Sequence, residues 1–177
     1  MIDTLNKQAF LDTIGYAERD NRFYVTFDSL DDEDSGDESV TYTIISTTTP
    51  SKQIGSVQIF WQGRPIKLPG DLTFSDWECT MYADGSGKSR KKIEKWSNYA
   101  IDTITNKRGS LSLVKKNIEI NLLDENGLVT CIYKLKGAFP TNIGGSTKNQ
   151  ESSNTASKFS VTWVYDEYEA VFATPTV

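Results

Sequence analysis

The chain contains no histidine, and among its 177 residues it has only two cysteines, two methionines and five prolines. Without histidine, imidazole metal sites and Ser-His-Asp or Cys-His catalysis are excluded together, which leaves carboxylate, lysine or phosphate chemistry. Cys79 and Cys131 lie far apart, each inside an apolar run. That placement predicts buried free thiols rather than a bridge, as in a reducing cytoplasm. No apolar run approaches the roughly 20 residues of a membrane helix. The opening residues, MIDTLNKQAF, lack the basic start and apolar stretch of a secretion signal, so none is expected.

What is present suits a single globular domain over residues 1–177, with 37% hydrophobic and 24% charged residues. A chain of this size buries roughly 70% of its unfolded surface and needs no staples. The formal net charge is −5, but the run DDEDSGDE at 31–38 holds six of the 24 acidic residues. The remaining 18 face 19 basic residues, a balance near +1, so the acidity is local.

Residues 1–21 read as an arm, with a short helical turn at 7–14. RFYVTFDSL (22–30) and SVTYTIIST (39–47) are rich in β-formers and read as strands flanking the acidic run, a hairpin loop. GSVQIFW (55–61) and RPIKL (64–68) predict short strands around Gln62-Gly63, and LPGD (68–71) a turn. In TFSDWECTMYA (73–83), Ser75, Trp77, Cys79 and Met81 form the better core face. From Ser86 to Ile104, the residues Ile93, Trp96, Ala100, Ile101 and Ile104 make one apolar stripe, which predicts an amphipathic helix capped by Asp84 or Ser86 and ended near Asn106–Gly109. NIEINLL (117–123) and LVTCIYKLK (128–136) predict a hairpin around DENG. A polar connection covers 138–157, its loop 142–157, and KFSVTWVYDEYEAVF (158–172) reads as one last strand with Phe159, Val161, Trp163 and Tyr165 inward. The expected fold is mainly β: an antiparallel β-sandwich or barrel with one flanking amphipathic α-helix.

YADGSGKSRKK (82–92) has the layout of a phosphate loop. The pattern Gly-x-x-x-x-Gly-Lys-Ser/Thr is met by Gly87, Lys88 and Ser89, but the first glycine is replaced by Tyr82. The later strand IEINLLD carries Glu119 and Asn121 on one face, which suits antiparallel pairing rather than a buried parallel sheet. A nucleotide hydrolase using Lys88 and Ser89 is therefore the remote alternative. The plain reading is a capped turn into a helix. Lys88, Arg90, Lys91 and Lys92 crowd the positive end of that helix with no local acid to offset them, which points to an acidic partner.

Other candidates fare less well. Read as a calcium loop from Asp31, DDEDSGDE puts Tyr42 where the closing glutamate belongs, so a solvated acidic tip is favoured. Asp76 and Glu78 share a strand face and Asp71 lies near, but no partner marks them as an acid–base pair. KSRKKIEK is a possible nucleic-acid patch on an acidic chain. No catalytic residue, metal or cofactor is assigned.

Three segments together resemble the tail tube proteins of contractile-tailed bacteriophages. In GYAERDNRFYVTF, Arg19, Asn21 and Phe23 match the family's run into its first strand, while Glu18 and Asp20 stand for alanine and proline. WQGRPIKLPGDLTFSDWECTMYAD matches at Gly70, Asp71, Thr73, Phe74, Asp76 and Trp77, followed by a strand and an acidic turn before the helix. YKLKGAFPTNIGG and SNTASKFSVTWVYDEYE match at Gly137, Phe139, Pro140, Thr141, Asn154, Tyr165 and Asp166. The resemblance implies a non-enzymatic protein of hexameric rings that stack into a tube. Inner strands of six copies would close one barrel around the tape-measure protein, and DNA would pass without specific binding. It further implies a sheath around the tube, baseplate and tail-terminator partners, assembly in the host cytoplasm and a place in the virion tail. A tube initiator, a baseplate protein or a type VI-like secretion tube would share the fold. In that frame Arg90, Lys91 and Lys95 are expected to face the sheath. Asp31, Asp32, Glu33, Asp34, Asp37 and Glu38 are expected in the lumen or between rings.

Overall fold

The computed structural model describes residues 19–29, 39–150 and 154–173. The acidic run 31–38, residues 1–18 of the expected arm and residues 151–153 of the polar connection lie outside the described residues. The chain runs β1 (Phe23–Phe27), α1 (Ser39–Thr43), β2 (Ile44–Thr47), β3 (Lys52–Trp61), β4 (Arg64–Phe74), β5 (Trp77–Tyr82), α2 (Lys88–Ala100), α3 (Leu111–Val114), β6 (Lys116–Leu123), β7 (Val129–Ile143), β8 (Lys158–Val164) and β9 (Glu167–Phe172). Seven strands form one antiparallel sheet in the order β1-β6-β7-β8-β5-β2, with β9 also on β7, while β3 and β4 form a separate pair. The architecture is the mainly β, antiparallel one expected, with α2 as its flanking helix.

The long strand β7 joins two halves of the sheet. Residues 131–136 pair with β9 and 129–138 with β6, whereas 139–143 pair with β8. The change from β9 to β8 falls at Gly137, whose φ of 66° is open to glycine and strained for other residues. A Cβ there would overlap the Asp166 carboxylate. Asp166 stands between β8 and β9, donates its amide to Lys136 O at 3.0 Å, and takes Lys115 Nζ at 2.7 Å on both oxygens. The strand expected over 158–172 is therefore two strands, because the chain must leave one half of the sheet and join the other at Tyr165-Asp166. For the same reason residues 138–143 are strand rather than connection.

The core is aromatic. Trp77, Trp96 and Trp163 are fully buried, and the Trp163 ring lies 4.9 Å from Trp96, 6.0 Å from Trp77 and 5.5 Å from Phe27. Each indole N–H is satisfied, as burial requires: Trp96 by Val114 O at 2.6 Å, Trp77 by Thr48 O at 2.8 Å and Trp163 by Cys79 Sγ at 3.4 Å. Burial pushes the Cys79 thiol up to about 12, and both cysteines are buried and unbridged as expected. The alternations hold: Trp77, Cys79 and Met81 on β5, and Phe159, Val161 and Trp163 on β8, continued by Tyr165, all face inward.

Other local expectations also fail. Residues 39–43 are helical rather than extended. The turn buries Val40 and leaves Tyr42 78% exposed, and Thr43 Oγ1 bonds back to Val40 O. The helix stops at Ala100 rather than Ile104: Ile101 is extended, and Asp102 Oδ1 takes the amides of Ile104 at 2.9 Å and Thr105 at 2.6 Å. Ile104 is consequently exposed rather than part of the stripe, which is buried at Ile93 and Trp96. LPGD is not a turn but lies inside β4, where Gly70 and Asp71 oppose Gly55 in a bulge.

The helix start is capped as the sequence suggests, at one remove. Gly87 is the N-cap with φ 68°, and Asp84 reaches past it. The Asp84 carboxylate accepts the amides of Lys88 (2.9 Å) and Ser89 (3.2 Å) and the hydroxyls of Ser86 and Ser89. The two hydroxyl bonds, then the amides, hold its carboxyl well below the usual carboxylate range. A depressed carboxylate stabilises the fold above its unfolded value of about 3.9, and that contribution is lost as pH falls through the lower folded value. Replacing Asp84 by alanine is expected to lower Tm at neutral pH by roughly 2–4 °C. In thermal melts across pH, the gap from the parent should shrink as pH drops below about 4. A gap independent of pH would show that the ionised cap is not the cause.

Candidate functional site

Three features lie outside the core: the start of α2, the β3–β4 hairpin, and the outer face of β1, β6, β7 and β9. At α2, Asp84 already occupies the amides of Lys88 and Ser89 that a phosphate would need. Ser89 is fully buried and Tyr82 ends an antiparallel strand, so the geometry of a nucleotide loop is absent. The basic helix start is also not uncompensated, because Asp84 and Glu94 supply the acid. Arg90 is engaged by the fold, with Nε 2.8 Å from Glu94, Nη1 3.3 Å from Gly144 O and its guanidinium over Phe159 at 5.4 Å. Lys92 is buried. Of the expected sheath-facing side chains, Lys91 is exposed and Lys95 half-buried above Tyr99.

The hairpin is the feature that the sequence under-read. Ten residues of β3 and eleven of β4 pair from Lys52↔Phe74 to Trp61↔Arg64, well beyond the two short strands expected. Its two-residue turn, Gln62-Gly63, has φ of 48° and 77°, the positive angles that match strand twist. Val57↔Leu68 and Ile59↔Ile66 are cross-strand pairs, and with Trp61 they share one face; Ile54↔Leu72 and Phe60↔Pro65 share the other. Every one of these large apolar residues is exposed, from 43% at Ile66 to 71% at Phe60. The hairpin is tied to the body at its base, where Ser75 N meets Ser51 O at 3.2 Å and Phe74 packs on Tyr165 and Tyr168. The signal was legible in the alternation of Val57, Ile59 and Trp61 against Ile66 and Leu68. Pro65, Pro69 and Gly70 obscured it, being tolerated here in a pair without further strands.

The third feature alternates charged rows with an apolar one, in which Tyr24, Ile132 and Val171 share a row with Asn121. Val25, Ile118, Ile120 and Leu135 face the core, so Thr26, Glu119, Lys134 and Glu169 line up across four strands on the opposite face. Lys136 and Glu167 form the next row. The free edges of this four-stranded part are β1 and β9.

The residues that carried the family resemblance do not form one site. Phe74, Trp77, Pro140, Tyr165 and Asp166 surround the corner at Gly137: Trp77 and Pro140 both pair with Trp163, and Asp166 packs on Gly137. Gly70 sits in the hairpin bulge, close enough to the Gly55 backbone that a Cβ would come within 3.1 Å of it. Arg19 pairs with Glu125 at 3.3 Å, and Asn21 lies in the turn before Phe23 opens β1. Asn154 takes φ 61°, a conformation asparagine tolerates better than most. Asp71 and Asp76 are exposed.

The tail tube protein of Serratia phage KSP90 is 27% identical over 149 residues, covering 82% of this chain and 84% of that protein. Tail tube protein gp19 of Enterobacteria phage T4 is 27% identical over 136 residues, covering 75% and 82%. A solved chain of the sheath–tube complex of the extracellular contractile injection system PVC, in its extended state, has the same fold, with a TM-score of 0.63 at 20% identity over 96% of this chain and 99% of that one. The family model for T4-like virus tail tube protein gp19 matches residues 19–169, from the turn before β1 into β9. On that span the chain belongs to the T4-like virus tail tube protein gp19 family.

Proposed function

We propose that the chain assembles into hexameric rings that stack as the inner tube of a contractile tail, with the β3–β4 hairpin of each copy lying against a neighbouring copy. The hairpin's exposed apolar faces carry this reading. An isolated two-stranded hairpin is marginal in water, and an apolar patch of this kind on a single chain marks a contact surface. Covering one such Ile or Trp contributes roughly 1.5–3 kcal/mol. The free edges β1 and β9 would pair between copies, so that the outer face of β1, β6, β7 and β9 lines the lumen and no edge stays open. Tape-measure protein would occupy that lumen during assembly, and DNA would pass through it at ejection. Baseplate and terminator proteins would close the ends.

The exposed part of α2, at Lys91 and Lys95, is the proposed contact for an acidic sheath surface. The solved PVC chain that shares the fold comes from a sheath–tube complex, which supports a sheath as partner. The acidic run 31–38 is proposed for the lumen or a ring-to-ring contact. Assembly would take place in the host cytoplasm and end in the virion tail.

Replacing Ile59 and Ile66 together by threonine keeps β propensity and leaves the core untouched. The monomer should keep its circular dichroism spectrum and Tm, while self-association weakens roughly 100-fold or more. Electron microscopy of wild-type protein should show long tubes, which also separates a main tube from a ring-only initiator. Normal tubes from the double variant would defeat the hairpin reading. Exchanging Lys91 and Lys95 for glutamate should reduce sheath polymerisation on preformed tubes, scored by sedimentation, without altering the tubes. Shortening 31–38 should change tube stacking or the rate of DNA ejection; if both are unchanged, the run has no part in either.

A further inference from the structure

The outer face of β6, β7 and β9 carries two lysines and three glutamates, all partly exposed, and the lysines do not stand alone. Lys134 Nζ is 2.9 Å from Glu119 Oε1. Lys136 Nζ is 3.3 Å from Glu167 Oε1 and 3.4 Å from Glu169 Oε2. Strand register places Glu119, Lys134 and Glu169 in one cross-strand row and Lys136 opposite Glu167 in the next. Exposed pairs of this kind add little to stability, typically well under 1 kcal/mol, so a stabilising role explains them poorly.

We propose that Glu119, Glu167 and Glu169 silence Lys134 and Lys136, so that a nucleic acid moving along this face meets no free cation. The inference rests on the reading above that this face lines the lumen. A lysine free to contact phosphate adds salt-sensitive affinity, and repetition around each ring and along the tube would multiply it. Three carboxylates over two ammonium groups leave the face slightly negative, and the confined geometry of a channel strengthens that field. The hydrogen bond and charge of Glu167, followed by those of Glu169, raise the Lys136 pKa, in keeping with a cation held by its partners.

The test uses assembled tubes of the full chain and a short fluorescent DNA duplex as probe. Changing Glu119, Glu167 and Glu169 to glutamine preserves shape while freeing both lysines. Tubes of this triple variant should retain the duplex at least about 10-fold more than wild type at low salt, and salt should reverse the retention. Adding Lys134→Gln and Lys136→Gln should abolish the gain; a gain that persists would show that the lysines are not its source and overturn the proposal. Should the triple variant not assemble, Glu119→Gln with Glu169→Gln alone puts the same question to Lys134. Placement is checked separately by Thr26→Cys on the same face, since Cys79 and Cys131 are buried. A bulky maleimide should label Cys-substituted monomers and spare tubes. Equal labelling of both would refute the lumen placement itself, whereas protection without any gain in DNA retention would overturn the silencing alone.

Discussion

The fold depends on one strand serving two halves of a sheet. β7 can do so because its backbone turns at Gly137 in a conformation that a side chain would obstruct, and because Asp166 fills the space a Cβ would take. The Lys115–Asp166 pair ties this corner to the segment entering β6. From the corner, β8 and β9 diverge onto different stretches of β7, and Trp163 comes to rest between Trp77 and Trp96. The three indoles pin β5, β8 and α2 to one another. Several positions of the family resemblance fall at this corner, which accounts for their pattern by packing rather than by chemistry.

A core satisfied in this way leaves the rest of the apolar surface to be accounted for. The body buries its tryptophans and pairs the lysines of its outer face with glutamates, while the hairpin carries eight large apolar residues into solvent. That division suits a member of a structural, non-enzymatic family. In the proposed tube it would separate what makes the monomer fold from what makes copies associate. The Gly55–Gly70 approach and the bulge beside it bend the hairpin where it leaves the body, so the direction in which it presents its faces is built into the backbone.

The helix start shows how the same residues can mislead. Gly87-Lys88-Ser89 has the ending of a phosphate loop, and three basic residues, Arg90, Lys91 and Lys92, follow directly. In three dimensions Asp84 takes the amides, Glu94 and Phe159 engage Arg90, and Lys92 turns inward. A string of like charges in sequence thus becomes a helix start whose solvent-facing charge is mainly Lys88, Lys91 and the half-buried Lys95.

Much was decided locally and could be read from residues alone. Alternation marked the inward faces of β5 and β8, because period-two patterning is a property of any strand with one buried side. The β6–β7 hairpin, the unbridged buried thiols, the start of α2 and the family resemblance were legible for similar reasons. The end of α2, the helical turn at 39–43, the length of the β3–β4 hairpin and the split of 158–172 were not. The end of α2 is a local matter, Asp102 taking the amides two and three residues on, whereas the others need more of the chain: Val40 against the core, β3 against β4 through a bulge, and Asp166 against Gly137. Sequence by itself determined that this is an antiparallel β protein with one amphipathic helix. Tertiary structure alone decided which apolar residues stay outside, because burial is set by what the rest of the chain can reach, and the described fold reaches the hairpin at Phe74 but leaves its large apolar residues from Ile54 to Leu72 exposed.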